Sequence, residues 1–275
     1  MIFYKTDEEI ELIRQSCLLV CKTLAEVASL LRPGISGDVI DRHAEEFIRD
    51  HNAIPAFKGY KGTFPASLCV SVNDVVVHGI PTEKQIFKEG DIVSVDCGVK
   101  MNGYFGDAAY TFAIGDVSEN VMDLLRTTHA ALYKGIQQAV PGNRIGDIGF
   151  TIQYFVERVH GYGIVRELVG HGVGRELHES PEVPNYGQRG RGVKLKEGLV
   201  IAIEPMVNLG KKEVRTAKDG WTVHSKDGKP SAHYEHTVAV KKGKADILSD
   251  HSFIESAIRN NPNIKEIEGV KTAAA

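Results

Sequence analysis

The stretch Lys88-Glu-Gly-Asp-Ile-Val-Ser-Val-Asp96 recurs 108 residues further along the chain as Lys196-Glu-Gly-Leu-Val-Ile-Ala-Ile-Glu204. Pro33-Gly34 recurs at the same offset as Pro141-Gly142. Coincidence is the alternative interpretation, because Pro-Gly is a common turn dipeptide, but two matches at one offset favour an internal duplication. The sequence therefore predicts one domain over residues 1–250, made of two similar halves at about 1–110 and 111–250.

Hydrophobic periodicity predicts the same order of elements in both halves. Thr6-Asp-Glu-Glu9 has the pattern of a capping box and starts a helix that Pro33-Gly34 ends. Further helices are predicted at about 37–51, 118–140 and 143–160, with short β-branched strands at 68–72, 92–95 and 199–203. We expect an α+β fold in which each half contributes two helices and antiparallel strands, with the helices covering one face of a shared sheet. Ligands are expected where the two halves meet.

Composition and charge exclude several classes of protein. Lysine and arginine number 33 against 36 acidic residues among 275, a net charge of −3, which argues against a DNA-binding or polybasic membrane-binding protein. No apolar run reaches membrane-spanning length and no signal-peptide pattern is present. The cysteines form no CxxC pair, so a reducing, cytoplasmic location is predicted. Residues 251–275 are expected to form a C-terminal tail, frayed at Lys271–Ala275.

Acidic side chains end both repeated strands. Asp96 and Glu204 follow apolar runs, where burying an unpaired carboxylate is strongly unfavourable. A lone carboxylate at a strand end usually caps a turn, but two duplicated positions indicate a bound cation. Asp107 can return beside Asp96 through a hairpin, and Glu235 begins a strand that can pair with the one ending at Glu204. With His171, which lies between glycines, this oxygen-rich set suits two Mn, Fe, Co or Zn ions better than a closed structural zinc site.

Five motifs together resemble the type I methionine aminopeptidases, which are M24-like metallopeptidases. They are His78-Gly-Ile-Pro81, Val95-Asp-Cys-Gly98 with Gly106-Asp107, Gly170-His-Gly-Val-Gly-Arg-Glu-Leu-His-Glu-Ser-Pro181, Ile203-Glu-Pro205 and Glu235-His-Thr237. The resemblance spans about residues 1–250 and implies the duplicated pita-bread fold, with removal of the initiator methionine from nascent proteins. The chain resembles the short bacterial form of this family, because it shows neither a zinc-finger extension nor the insertion expected of type II.

The resemblance also implies roles for the residues around two divalent ions. Asp96 and Glu235 would bridge both ions. Asp107 would bind one of them, and His171 with Glu204 would bind the other. The ions would lower the pKa of a shared water, and Glu204 would pass the proton of that water to the leaving amine.

Two further histidines are implied in substrate contact. His178 would polarise the scissile carbonyl and stabilise its developing negative charge. His78 would contact the substrate amide. By contrast, His233 and His236, which flank Glu235, are expected to point away from it and to be structural.

An apolar pocket for an unbranched thioether side chain is implied by the same resemblance. The chain departs from the bacterial pattern, because Phe57 stands where a cysteine is common, Leu177 stands where an aromatic residue is common, and Thr63 is an insertion. The implied walls are Phe57, Tyr60, Phe64, Cys69, Leu177 and Trp221. A sodium or potassium ion is implied beside Asn73, Val75 and Ser231, although turn hydrogen bonding explains Asn73 and Ser231 equally well.

Two other functions stay open on the sequence alone. A proline-specific aminopeptidase of the same fold is expected to carry a large N-terminal domain. A non-catalytic module that binds ribosomes or nucleic acid is expected to have lost ligand residues and gained basic patches. The predicted partners of an aminopeptidase are the N-terminal methionine of nascent polypeptides and the ribosome near its exit tunnel, and a monomer is expected.

Overall fold

The helices recur at the offset found in the sequence. The computed structural model describes residues 1–267, and its α-helices are α1 (Asp7–Leu30), α2 (Gly37–Asp50), α3 (Glu119–Ile136), α4 (Ile145–Gln153) and α5 (Ser252–Arg259). The starts of α2 and α4, at Gly37 and Ile145, are 108 residues apart. A π-helical segment, Tyr154–Val159, follows α4 directly, so the helix predicted to reach about residue 160 is present as two segments.

The first helix begins and ends where the sequence predicts. The side-chain oxygen of Thr6 accepts a hydrogen bond from the backbone N–H of Glu9 at 3.3 Å, and Oε2 of Glu9 accepts one from the N–H of Thr6 at 3.1 Å. These two bonds form the capping box. The helix ends at Leu30, just before Pro33 and Gly34, and Gly34 has a φ of 88°, a conformation that favours glycine.

Antiparallel pairing organises the strands of the first half. These strands are β1 (Ile54–Pro55), β2 (Leu68–Val72), β3 (Val75–Val77), β4 (Ile92–Met101) and β5 (Tyr104–Ile114). Both β1 and β2 pair with β4, which forms a long hairpin with β5. A 3₁₀ turn, Tyr60–Gly62, lies between β1 and β2.

Five strands of the second half form a sheet of their own. The remaining strands are β6 (Gly163–Ile164), β7 (Gly170–Gly172), β8 (Glu179–Val183), β9 (Val200–Ile203), β10 (Met206–Asn208), β11 (Val214–Thr216), β12 (Val223–Ser225), β13 (Ser231–His233), β14 (His236–Ala239), β15 (Asp246–Ile247) and β16 (Ile264–Lys265). The order in this sheet is β15-β14-β9-β7-β8, and two three-stranded sheets have the orders β13-β10-β6 and β11-β12-β3. The strand β9 starts 108 residues after β4. Both are inner strands of their sheets, so the repeated stretch occupies an equivalent place in each half.

One apolar core joins the two halves. Leu24 of α1, Val95 of β4, Leu125 of α3 and Ile203 of β9 all belong to a single buried cluster. The strand pairs within the sheets are antiparallel, and helices pack against them, so the predicted α+β architecture is confirmed.

Residues 251–265 do not form the tail that the sequence predicts. The helix α5 packs on α1 and buries Ile254 and Ile258, and β16 pairs with the edge of β5, with Ile264 opposite Ile114. The prediction was wrong because the helix has only eight residues, too few for its apolar periodicity to stand out in the sequence. The predicted frayed end, Lys271–Ala275, lies outside the described residues.

Asn261, between α5 and β16, ties this segment to the end of α1. Its side-chain amide donates hydrogen bonds to the carbonyl oxygens of Ala28 and Leu31 at 2.8 and 2.7 Å. Carbonyl groups in the last turn of a helix have no partner within the helix, so these bonds satisfy them. Within residues 1–267, every helix is too short or too polar to cross a membrane.

Candidate metal centre

The β4–β5 hairpin brings two carboxylates to one face of the first sheet. Asp107 lies opposite Gly98, two residues beyond Asp96 on the neighbouring strand, so the two aspartates are diagonal neighbours. A Cβ atom on Gly106 would lie 2.3 Å from the backbone nitrogen of Cys17. Glycine at this position therefore lets β5 approach α1 closely, directly beside Asp107.

The second half supplies the other three predicted ligands. His171 is the middle residue of β7, Glu204 directly follows β9, and Glu235 lies in the break between β13 and β14. Nε2 of His171 is 3.6 Å from Oε1 of Glu204 and 3.7 Å from Oδ2 of Asp107. One side-chain atom from each of Asp107, His171 and Glu235 lies within 4.8 Å of the others. With Asp96 lining the same cavity, the structure brings together all five predicted ligands.

Four of these five residues are carboxylates that form no ion pair with lysine or arginine in the described part of the chain. Asp107 and Glu235 are buried, and Asp96 and Glu204 are half-buried. Burial raises the pKa of Asp96, Asp107, Glu204 and Glu235. Repulsion between neighbouring carboxylates raises the pKa of Asp107 and Glu235 further. Oδ1 of Asp96, Oδ1 of Asp107 and Oε1 of Glu235 are buried without a hydrogen-bond partner. Unpartnered carboxylate oxygens beside an imidazole nitrogen fit divalent cations, so these residues are suited to a metal centre.

Two further histidines line the same cavity. The ring centroid of His178 is 4.0 Å from that of His171, and Oη of Tyr60 is 2.8 Å from Nδ1 of His178. His78 follows β3 with a φ of 57°, which non-glycine residues rarely adopt. Burial lowers the pKa of His78 to about 4 and that of His178 to about 3. Both rings are therefore neutral near pH 7, and each carries one N–H donor.

One cavity of about 250 Å³ is lined both by the candidate ligands and by apolar side chains. A buried cluster forms its wall, and the residues of this cluster include Phe57, Phe64, Cys69 and Leu177, with Tyr60 and Trp221 packed against them. The structure thus brings together all six predicted wall residues, although Leu177 packs within the cluster without lining the cavity. The rings of Phe64 and Trp221 meet edge to face, with centroids 5.2 Å apart.

The departures from the bacterial pattern have local structural consequences. A Cβ atom on Gly98 would lie 2.7 Å from Cε1 of Phe57, so glycine at 98 leaves room for the larger side chain at 57. The inserted Thr63 is exposed in a tight loop, which closes through a hydrogen bond from the N–H of Gly59 to the carbonyl of Phe64 at 2.8 Å. Lys61 of this loop also lines the cavity, and no motif in the sequence marks it.

The residues of the predicted monovalent cation site lie around the turn between β2 and β3. The carbonyl oxygen of Asn73 accepts a hydrogen bond from the N–H of Ser231 at 2.8 Å, and Val75 begins β3. The side chain of Asn73 donates to Oδ1 of Asp91 at 2.8 Å and accepts from the N–H of Ile92 at 3.0 Å. Turn hydrogen bonding therefore accounts for the side chain of Asn73.

His233 lies at the centre, so the expectation that it points away was wrong. Its Nε2 atom is 3.6 Å from Oε2 of Glu204 and is buried without a hydrogen-bond partner. A period of two in extended chain places residues 233 and 235 on the same side, and this spacing was the signal that could have found it. His236 instead bonds Oγ of Ser249 at 2.7 Å and Oη of Tyr133 at 2.9 Å, away from the cavity.

Known proteins are similar to this chain in sequence and in fold. The sequence profile of metallopeptidase family M24 matches residues 11–242. The chain belongs to metallopeptidase family M24. Within it, the chain is 52% identical over 249 residues to a methionine aminopeptidase of Clostridium acetobutylicum, covering 90% of this chain and 99% of that protein. The crystal structure of a methionine aminopeptidase from Thermotoga maritima is similar, with a TM-score of 0.88, 44% identity and coverage of 91% of this chain and 100% of that chain.

These similarities confirm the resemblance and the pita-bread fold of this M24 metallopeptidase. A prolidase from Pyrococcus furiosus is also similar, with a TM-score of 0.73 and 25% identity, but the match covers 90% of this chain and 65% of that chain. The match to the M24 profile ends at residue 242, so α5 and β16 lie beyond it.

Proposed function

We propose that this M24 metallopeptidase removes the N-terminal methionine from newly made proteins as a divalent-metal-dependent aminopeptidase. One observation carries the proposal: four carboxylates and a histidine, drawn from both halves, line a cavity of about 250 Å³ that also has an apolar wall. A cavity of this kind receives one apolar side chain, and the carboxylates lie where the adjoining backbone would be held. The similarity to proteins named methionine aminopeptidase supports the same function.

The number of metal ions, their ligands and their identity are also part of the proposal. Asp96, Asp107, His171, Glu204 and Glu235 would hold two divalent ions. Such ions, when bound, polarise water and the peptide carbonyl and attract the free amine of the substrate, which favours cleavage after the first residue. Cobalt, manganese, iron and zinc all suit this ligand set, and affinity order and cellular supply decide among them. Sodium or potassium beside Asn73, Val75 and Ser231 stays a prediction.

Three side chains would handle protons and charge during hydrolysis. Glu204 is a half-buried carboxylate whose pKa is raised by loss of hydration, so it is suited to accept a proton from the attacking water and deliver it to the leaving amine. His178 would donate a hydrogen bond to the scissile carbonyl as negative charge develops on its oxygen. His78 is neutral because burial lowers its pKa, and it would contact the amide of the substrate.

The walls of the cavity favour an unbranched apolar side chain. Phe57 narrows one side, and Leu177, which packs behind this wall, is smaller than the aromatic residue common there. A methionine side chain adapts to such a space because it is flexible and polarisable. The edge of Trp221 against Phe64 would close the end of the pocket.

The cellular setting is also proposed. The four cysteines, Cys17, Cys21, Cys69 and Cys97, are free and buried, which supports a reducing compartment such as the cytoplasm. Nascent polypeptides are the expected substrates, and we propose that a monomer meets them close to the ribosomal exit tunnel.

The test is hydrolysis of three short peptides by the metal-loaded full chain. Met-Ala-Ser should release free methionine, while Ala-Pro-Ser and acetyl-Met-Ala-Ser should not be cleaved. Acetylation removes the free amine and nothing else, so the third peptide is a matched control for amine recognition.

Each alternative result identifies a different error. Preferential cleavage of Ala-Pro-Ser would favour a proline-specific enzyme. Cleavage of the acetylated peptide would contradict recognition of the free amine. Failure to cleave any peptide with cobalt, manganese, iron or zinc would favour the non-catalytic binding module.

A further inference from the structure

Tyr60 makes a hydrogen bond that a pocket wall does not require. Its hydroxyl oxygen is 2.8 Å from Nδ1 of His178, and the two ring centroids are 5.2 Å apart. The two residues are separated by 118 positions in the chain, so only the folded cavity brings them together. Among the described residues, Tyr60 is the one hydrogen-bond partner of the His178 ring, so Nε2 of His178 has no partner there.

A neutral imidazole carries its proton on one of two nitrogens, and a partner that can only donate or only accept decides which. The Tyr60 hydroxyl can do either. If the Tyr60 hydroxyl donates to Nδ1, then Nδ1 must be the acceptor and the proton must sit on Nε2. A ring with the proton on Nε2 presents a donor to the cavity. The opposite tautomer would present a lone pair, which repels a carbonyl oxygen gaining negative charge.

Hydrogen bonds within its loop fix the backbone of Tyr60. The N–H of Tyr60 donates to the carbonyl of Phe57 at 2.8 Å, and the carbonyl of Tyr60 accepts from the N–H groups of Thr63 and Phe64 at 3.1 and 3.2 Å. Trp221 packs beside its ring, with centroids 6.5 Å apart. A side chain whose backbone N–H and C=O groups are both hydrogen-bonded loses little conformational entropy when it orients a neighbouring side chain.

We propose that Tyr60 is a positioning residue that holds His178 in the tautomer protonated at Nε2, so that His178 always presents a donor to the scissile carbonyl. This inference rests on the proposed function, which supplies the reaction in which His178 takes part. It assigns Tyr60 a task beyond its place in the apolar wall, because the hydroxyl group and not the ring performs it.

Two substitutions separate the hydroxyl from the ring. Tyr60→Phe removes only the O–H, and Tyr60→Leu removes the ring as well. In the metal-loaded full chain acting on Met-Ala-Ser, Tyr60→Phe should lower kcat roughly 3–10-fold, the size of one lost hydrogen bond, with KM changed less than about twofold. Tyr60→Leu should also raise KM. Tyr154→Phe, at an exposed tyrosine outside the cavity, is the control and should match the wild type.

A second readout does not depend on activity. In zinc-loaded protein labelled with ¹⁵N-histidine, long-range ¹H–¹⁵N correlation spectra report which nitrogen of each ring carries the proton, and His178→Asn assigns the signals. The wild type should show His178 protonated at Nε2, and Tyr60→Phe should move both nitrogen signals toward a mixture of tautomers. Metal content, measured on the same samples, should be equal.

Unchanged nitrogen signals in Tyr60→Phe would overturn the tautomer assignment, whatever the effect on kcat. A kcat within about twofold of the wild type, despite shifted signals, would overturn the catalytic consequence. If the wild type released no methionine, the proposed function would fail, while the nitrogen signals would still decide whether Tyr60 sets the tautomer.

Discussion

The two oxygens of Glu204 face two different histidines. Oε1 is 3.6 Å from Nε2 of His171, and Oε2 is 3.6 Å from Nε2 of His233. A carboxylate flanked in this way has its plane restricted, which matters if one oxygen must bind a metal ion. His233 is therefore expected to orient Glu204, although it lies outside the predicted ligand set.

Replacing His233 by leucine should weaken the centre by removing the group that faces Oε2 of Glu204. Substitutions of groups that orient a ligand typically lower metal affinity or activity about 10–100-fold, and we expect the lower end of that range. Metal bound per chain and kcat/KM on Met-Ala-Ser measure the effect. His233→Gln keeps an N–H donor and should retain most of both, whereas full activity in His233→Leu would contradict a role for this residue.

His178 should affect the rate far more than metal binding. Its ring lies beside that of His171 but is bonded to Tyr60, so it is not among the expected ligands. Loss of one donor to a developing oxyanion costs roughly 10²–10³ in kcat. His178→Ala should therefore lower kcat by this factor with metal content unchanged, and a loss of bound metal would identify His178 as a ligand instead.

At the scale of elements, the segment after residue 250 stabilises the end of α1. The side chain of Asn261 bonds two carbonyl groups there, at Ala28 and Leu31, and is buried. Asn261→Ala should leave those carbonyls unsatisfied and reduce the free energy of unfolding by about 2 kcal/mol. The melting temperature should then fall by roughly 4–8 °C in calorimetry.

The neighbouring Asn260 provides a matched control for this substitution. Its side chain is exposed and bonds only the carbonyl of Ser256, in its own helix, at 2.9 Å. Asn260→Ala should change the free energy of unfolding by no more than about 0.5 kcal/mol. Equal effects of the two substitutions would show that α5 and β16 do not brace α1.

At the scale of the whole molecule, the centre couples stability to pH. Burial raises the pKa of Asp96 and Glu204 to about 7, and that of Asp107 and Glu235 also rises. In the unfolded chain these groups titrate near pH 4. The folded metal-free protein therefore holds protons that the unfolded chain releases, so this contribution to stability is present below about pH 4 and is lost as the pH rises through about 7.

Divalent metal should reverse that loss. Metal ligands must be deprotonated, so binding strengthens as the pH rises. At a free concentration 100 times Kd, metal stabilises a protein by about 2.7 kcal/mol, or roughly 5–10 °C in melting temperature. The difference between melting temperatures with manganese and with a chelator should therefore grow from pH 5 to pH 7.5.

Glu235→Gln distinguishes the contribution of the candidate metal centre to the pH dependence of stability from that of other titrating groups. The amide neither ionises nor repels its neighbours, so in chelator this variant should gain stability relative to the wild type as the pH rises. Glu83→Gln, at an exposed position, should follow the wild type. A constant difference between Glu235→Gln and the wild type across this range would show that the carboxylates are not held protonated.

Much of this molecule could be predicted from local patterns. The capping box at Thr6, the turn at Pro33-Gly34 and the apolar runs before Asp96 and Glu204 are visible in short stretches of sequence. The strand end predicted at Asp96 was wrong, because β4 continues to Met101 as one arm of a long hairpin. Burial of an unpaired carboxylate is unfavourable wherever it occurs, so acidic residues at the ends of apolar strands predict a cation without knowledge of the rest of the fold.

Contacts between distant parts of the chain could not be predicted. Tyr60 meets His178, Asn261 meets the end of α1, and His233 meets Glu204, and each contact depends on how several elements pack. Local sequence determined the helices, the repeated strands and the candidate ligand residues, because backbone preferences and the penalty of burying charge act at each residue. Only the tertiary structure decided which nitrogen faces which oxygen, because hydrogen bonds depend on differences of tenths of an ångström that packing sets.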